Sequence, residues 1–280
     1  MTASASARAR RPGPSVRTRV TEHLVDGTRH HEDRLATEEP LEIRLAVGAL
    51  PARRVWVTMR TPGHDFELAA GFAVGESLFA PGSIRQVAYC TDAELGPEQE
   101  FNVVTITVAP GTDIAAAQRH EARSAGSSAC GVCGKDSVAE VLDVVHGARW
   151  TGAVPSPVVA RELPDRLREN QQLFGRTGGV HAAALASGDG VLEVVREDVG
   201  RHNAVDKVIG ARVLAGRDTG AACLVVSGRA GFELVQKAVT AGIGSLVAVG
   251  APTSLSVDLA RQAGLTLYGF TSPGRCVQYA

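Results

Sequence analysis

The stretch from Ala222 to Phe270 limits the possible folds more than any other part of this chain. Ala222 to Val226, Ser245 to Val249 and Leu265 to Phe270 read as strands, and Ala230 to Thr240 and Ser254 to Ala263 as helices. Strands alternating with helices of about ten residues imply right-handed crossovers and a parallel sheet. In such sheets ligands bind outside the carboxyl ends of the strands. Three loops leave those ends: Ser227-Gly228-Arg229, Gly250-Ala251-Pro252-Thr253 and Thr271-Ser272-Pro273-Gly274-Arg275. One rim should hold all three. Small residues, hydroxyls, helix N-termini near Ser227 and Ser254, and the guanidinium groups of Arg229 and Arg275 would make it a cradle for phosphate.

Upstream the pattern changes. From Thr18 to Met59 β-type runs dominate, notably Leu41 to Val47 and Arg53 to Met59, and suggest an antiparallel meander. Thr61-Pro62-Gly63 breaks it, after which Phe66, Ala69, Ala70, Phe72 and Ala73 recur at helical spacing and predict a helix of about three turns. Gln86 to Cys90 and Phe101 to Val108 are further strand candidates. Residues 1–15, rich in Ala, Ser, Arg and Pro, read as a disordered tail. The expected organisation is α/β: a β-rich portion with one helix over 16–125, a mobile CxxC loop at 126–136, and an α/β portion with βαβ units over 137–280.

A net charge of −1 over 280 residues gives no global field to attract nucleic acid or an anionic membrane. No run of about 18 apolar residues exists for a membrane helix. Arg8, Arg10 and Arg11 are followed by Pro12-Gly13-Pro14 rather than the apolar core of an export signal, so a cytoplasmic protein is expected. Its five cysteines (Cys90, Cys130, Cys133, Cys223 and Cys276) are odd in number and sparse, which favours reduced thiols over a disulfide framework.

Cys130-Gly131-Val132-Cys133 carries the most specific chemistry. Ser137 and Glu140 have capping-box spacing ahead of the apolar stripe Val138, Val141, Leu142 and Val145, so the cysteines precede a helix and sit on a loop. Gly126, Gly131 and Gly134 loosen that loop, while Lys135 and the helix N-terminus favour thiolate. A structural zinc site would want a second pair of ligands. A thioredoxin-like pair would follow a strand and open a helix directly. A persulfide carrier needs one nucleophilic thiolate on a reaching arm, with a second cysteine to help reductive release, and fits this pattern best.

Two other polar stretches stand out. Glu197 to Lys207 packs charge ahead of the apolar stripe Val205, Val208, Ile209 and Val213, and reads either as a solvated helix face or as substrate lining. On the second reading His202 and Asp206 share a face, with Arg201 and Asn203 in the first turn where anions bind. His181, after Gly178-Gly179-Val180, reads as a hydrogen-bonded structural residue. A zinc deaminase would need H-x-E and then P-C-x-x-C. His181-Ala182-Ala183 lacks the glutamate, Ala129 replaces the proline, and the order is reversed, so deamination is not expected.

The chain resembles the FdhD family, the formate dehydrogenase accessory sulfurtransferases, from about Pro40 to Ala280. The resemblance rests on Thr61-Pro62-Gly63-His64-Asp65, Glu67-Leu68-Ala69-Ala70-Gly71-Phe72, Cys130-Gly131-Val132-Cys133-Gly134, Gly178 to Ala183, Glu197 to Lys207 and Ser227-Gly228-Arg229. Gly75-Glu76-Ser77 departs from the usual Glu-Gly pair after the first helix. The resemblance implies a cytoplasmic homodimer with a cytidine-deaminase-like α/β core. It further implies an enzyme that accepts sulfur from a cysteine desulfurase as a persulfide on Cys130, with Cys133 auxiliary. That sulfur would pass to the molybdenum of a bis(molybdopterin guanine dinucleotide) cofactor bound for formate dehydrogenase, with GDP or GMP as a fragment mimic. Phe270, Thr271, Ser272, Pro273, Gly274 and Arg275 match the family's cofactor-binding stretch, and Ser227, Gly228, Arg229 and His202 are expected to join it. The alternatives are a non-catalytic cofactor chaperone and a thiol redox or metal-binding CxxC protein.

Overall fold

The computed structural model describes residues 12–91, 95–96, 99–124 and 147–280. Cys130, Cys133, the loop expected at 126–136 and the helix start expected after it lie outside the described residues. The described strands form three sheets. β1 (Ser15–Leu24) and β2 (Gly27–Ala36) make an antiparallel ribbon of two strands. β3 (Glu39–Val47), β4 (Arg53–Arg60), β5 (Ile84–Tyr89) and β6 (Val103–Val108) make a second sheet in the order β4-β3-β6-β5.

The expected meander is thus two separate hairpins. β3 takes β4 on one side and runs parallel to β6 on the other, so no edge of it is left for β2. β2 is mostly exposed and has no alternating apolar face to share. Ser15, the last residue of the stretch read as a tail, opens β1.

Helix α1 (Asp65–Gly75) matches the expected three turns, and α2 (Ala115–Ser124) follows β6. The rest of the chain is built on one mixed sheet. α3 (Pro157–Glu169) and α4 (Gln172–Thr177) lead into β7 (His181–Ala186) and β8 (Leu192–Asp198). Then come α5 (Arg201–Leu214), β9 (Cys223–Val226), α6 (Phe232–Thr240), β10 (Ser245–Ala248), α7 (Ser254–Ala263), β11 (Thr266–Ser272) and β12 (Arg275–Gln278). The strand order is β12-β11-β10-β9-β7-β8, with β9, β10 and β11 parallel as expected. The segment expected as a loop at 271–275 is instead a hairpin. β11 runs on to Ser272, Pro273-Gly274 make the turn, and Arg275 pairs back with Ser272.

This sheet is buried on both faces. Period-two alternation on β7 sends Ala183 and Leu185 toward α5, α6 and α7, and Ala182, Ala184 and Ala186 toward Leu163 and Leu167 of α3. The four-stranded sheet packs Leu41, Ile43, Val104 and Ile106 against Leu68 and Phe72 of α1. The two cores join where α1 crosses α5. A Cβ added to Gly71 would lie 1.8 Å from the Asp206 carbonyl oxygen, and one on Gly210 would lie 1.8 Å from that of Glu67. Only hydrogen at both positions permits this approach.

Candidate site at the carboxyl rim of the mixed sheet

β7 runs antiparallel to β9, so its first residues arrive at the edge where β9, β10 and β11 end. Hydrogen bonds then stitch that edge together. Ser227 donates its N–H to the Ala182 carbonyl (3.0 Å), and the Ser227 hydroxyl accepts from the Ala182 N–H (2.9 Å). Gly250 donates to Gly228 (2.9 Å), Phe270 to Gly250 (3.1 Å) and Ala230 to Ala251 (3.1 Å). The rim therefore brings together Ser227, Gly228, Arg229, the 250–253 turn and Phe270.

Two details differ from expectation. Ser227 is not at a helix N-terminus: Gly231 caps α6, and the serine hydroxyl already holds β7. α7 begins on a Thr253–Ser256 capping box, which places Ser254 at its first position as expected. Phe270 has φ +49°, a left-handed conformation unusual for a bulky residue, at the point where the β11–β12 register shifts. The residue is 44% exposed, and the Arg275 guanidinium carbon sits 5.3 Å from the ring centroid. Arg275 thus folds back toward the rim, whereas Pro273 and Gly274 lie exposed at the hairpin tip. Thr271 is buried, and its hydroxyl has no hydrogen-bond partner among the described residues.

α5 starts at the same edge, because Asp198 at the end of β8 pairs with His181. His202 Nε2 lies 2.5 Å from Glu233 Oε2, tying the N-terminus of α5 to that of α6. That contact, opposed by burial, holds the Glu233 carboxyl below its usual range. Burial first, and then Arg201 and His202 nearby, lower the pKa of His181 against the opposing Asp198, and its ring lies beside Gly228.

The charged stretch 197–207 is not a solvated helix face. Asp206 is 2% exposed and Lys207 1%. Lys207 Nζ sits 2.7 Å from Asp198 Oδ2 and donates to the Thr61 carbonyl at 2.9 Å. Asp198 also accepts from the N–H groups of Thr61 (3.2 Å) and Gly200 (2.8 Å), and Asn203 donates to the Met59 carbonyl (2.7 Å). Apolar periodicity gave no signal for this clamp, since its partners are far apart in sequence. Behind it lies a cavity of about 230 Å³ with Trp56, Phe72, Glu76, His202, Asp206 and Lys237 in its wall. His202 and Asp206 do share it. Burial pushes the Asp206 carboxyl up to about 6 even with Lys237 at 2.9 Å. Burial works against the charge on Lys237, but Asp206 and Glu76 outweigh it and raise the lysine.

Known proteins place the chain. The model of the FdhD/NarQ family matches residues 36–280. A protein of Streptomyces coelicolor called sulfur carrier protein FdhD is 50% identical over 247 residues, covering 85% of this chain and 84% of that protein. One of the same name from Corynebacterium efficiens is 46% identical over 260 residues, covering 89% of each. A crystal structure of a candidate formate dehydrogenase accessory protein from Desulfotalea psychrophila shares the fold, with a TM-score of 0.72 at 22% identity over 95% of this chain and 97% of that one. By sequence over most of its length, with the same α/β architecture, the chain belongs to the FdhD/NarQ family.

Proposed function

We propose that this chain is a sulfur carrier that accepts sulfur on Cys130 and delivers it to a molybdenum cofactor bearing guanine nucleotides, bound at the carboxyl rim, for formate dehydrogenase. The rim is the observation that supports the reading most. Ser227-Gly228-Arg229, Gly250, Phe270 and Arg275 gather on one edge, offering main-chain groups and guanidinium donors to a diphosphate. A relative 50% identical to this chain is named a sulfur carrier protein.

The chemistry balances within the two cysteines. The Cys130 thiolate attacks the terminal sulfur of a desulfurase persulfide, forming its own persulfide and releasing the desulfurase thiolate. Attack by the Cys133 thiolate on Cys130 Sγ then expels sulfide for the metal, and the two electrons come from forming the Cys130–Cys133 disulfide. In this reading the protein works in the cytoplasm as a homodimer. The test is mass spectrometry after incubation with a cysteine desulfurase and cysteine. An added sulfur on Cys130, lost in Cys130→Ala, is expected. No adduct, with cofactor binding intact, would make the protein a chaperone rather than a sulfurtransferase.

A further inference from the structure

The β1–β2 ribbon has no core beneath it: none of its residues enters an apolar core of the described chain. Each strand runs ten residues, which at about 3.3 Å per residue makes an arm roughly 33 Å long. Thr37 closes its base by donating to the Pro14 carbonyl at 3.0 Å, and the ribbon meets the rest of the protein mainly where β2 touches α4. Neither strand pairs with any other described strand, so the outer edge of β1 presents its outward N–H and C=O groups unpaired. A two-stranded ribbon is at best marginal in water by itself. Alternation puts Val16, Val20 and Leu24 of β1 on one face, and Leu35, opposite Val16, adds a fourth apolar residue there. Val16, Leu24 and Leu35 are each about half exposed.

We propose that the outer edge of β1 pairs antiparallel with the same edge of a second copy of this chain, in the register that sets Val20 against Val20. The inference supplies an interface for the homodimer of the proposed function. It follows from self-complementarity, which a two-fold contact between copies requires. With Val20 on the axis, Val16 lies opposite the partner's Leu24, Thr18 opposite the partner's Glu22 and Arg19 opposite the partner's Thr21. Each end of the joined sheet then carries Leu35, Val16 and the partner's Leu24 side by side on one face. Sliding one strand by two residues sets either Arg19 against Arg19 or Val20 against Glu22. A slip of one residue sends the two apolar faces to opposite sides. Glu22 brings no unpaired charge, because Arg29 of its own ribbon donates to it at 3.0 Å. The product is a four-stranded sheet with both β1 edges paired, which the lone ribbon lacks.

Sedimentation of the full chain should show a monomer–dimer equilibrium that Val20→Lys weakens by about tenfold or more, since it sets two like charges against each other on a strand edge. Oxidative cross-linking reads the register. Directly opposed residues of an antiparallel pair have Cα atoms about 4.5–5.5 Å apart, within the ~4.4–6.8 Å that a disulfide spans. Val20→Cys should therefore link to its own copy, with the joined peptide identified by mass spectrometry to set it apart from the native thiols. Val16→Cys and Leu24→Cys should each link poorly alone and readily when the two variants are mixed. Melting curves check that every variant folds. A dimer in which Val20→Cys does not link, or which Val20→Lys leaves unweakened, overturns the inference and leaves the homodimer reading standing; a monomer at every concentration overturns both.

Discussion

Replacing Gly71 with alanine probes the joint on which the whole assembly turns. The new methyl would lie 1.8 Å from the Asp206 carbonyl oxygen and 2.5 Å from its carbon, atoms of a helix backbone that has no rotamer to retreat into. Relaxed contacts lie near ~3.5 Å, so α1 and α5 must move apart by roughly 1.7 Å. Overpacking of this kind costs about 1–3 kcal/mol or more, and alanine returns about 1 kcal/mol of helix propensity. The net loss should be about 2 kcal/mol, or roughly 4–8 °C in Tm for a protein of this size. Gly210→Ala should cost as much, for its methyl meets the Glu67 carbonyl at 1.8 Å. The double variant should lose less than the sum, because one separation makes room for both methyls. Gly175→Ala in α4 is the control: nothing lies within 4 Å of its added Cβ, and it should be neutral or stabilising. Thermal and urea unfolding of the four variants beside the unaltered protein would settle the matter. If Gly71→Ala and Gly210→Ala both melt at or above the unaltered protein, the account of the helix joint is wrong.

Lys207→Met should be more damaging, by about 3–5 kcal/mol in urea unfolding, because it leaves the Asp198 carboxylate buried without its cation. Glu67 gives a pH dependence. Burial opposes its charge, but hydrogen bonds from Arg196 and His64 prevail and lower it from 4.5 to about 2. Its contribution to stability is complete above pH 4.5 and disappears as the pH falls from 4.5 to 2, so Arg196→Gln should flatten that part of a plot of urea midpoint against pH. Arg275→Ala should weaken GDP binding by about 1.5–3 kcal/mol in calorimetry, the worth of a hydrogen bond to a charged group. Equal affinity would move the phosphates away from the β11–β12 hairpin.

The elements that could be read in the sequence carry their own boundary signals. α7 was expected at its observed limits, and Thr253, Ser256 and Gly264 supply the cap and the left-handed stop that explain why. The ends of β9, β10 and β11 were each placed within a few residues, which was enough to gather three loops on one rim. α3 was missed although Ser156 and Pro157 open it and Ala160, Leu163 and Leu167 repeat correctly, because Pro164 in its interior disguises the helix. β12, with four residues on an edge, has no pattern long enough to detect. Of the two readings open for 197–207, the solvated helix face is the one that the burial of Asp206 and Lys207 overturns. Charge on a helix is ordinarily solvent-facing, and only the fold brings Thr61 to Lys207 and Glu76 to Lys237.

The α1–α5 crossing also sets an order of events during synthesis. The four-stranded sheet has all of its strands once Val108 has been made, and α1 can bury Leu68 and Phe72 against it at once. Its other face, with Gly71, and the Thr61 carbonyl ahead of it must wait for Asp206, Lys207 and Gly210. Translation at about 5–20 residues per second holds that face open for roughly 5–20 s per hundred residues. A ribosome-bound chain thus passes through a half-built state whose exposed helix is a natural client for a chaperone. Because the rim is assembled from residues later still, as far as Phe270 and Arg275, that edge closes only after the crossing of α1 and α5 can form.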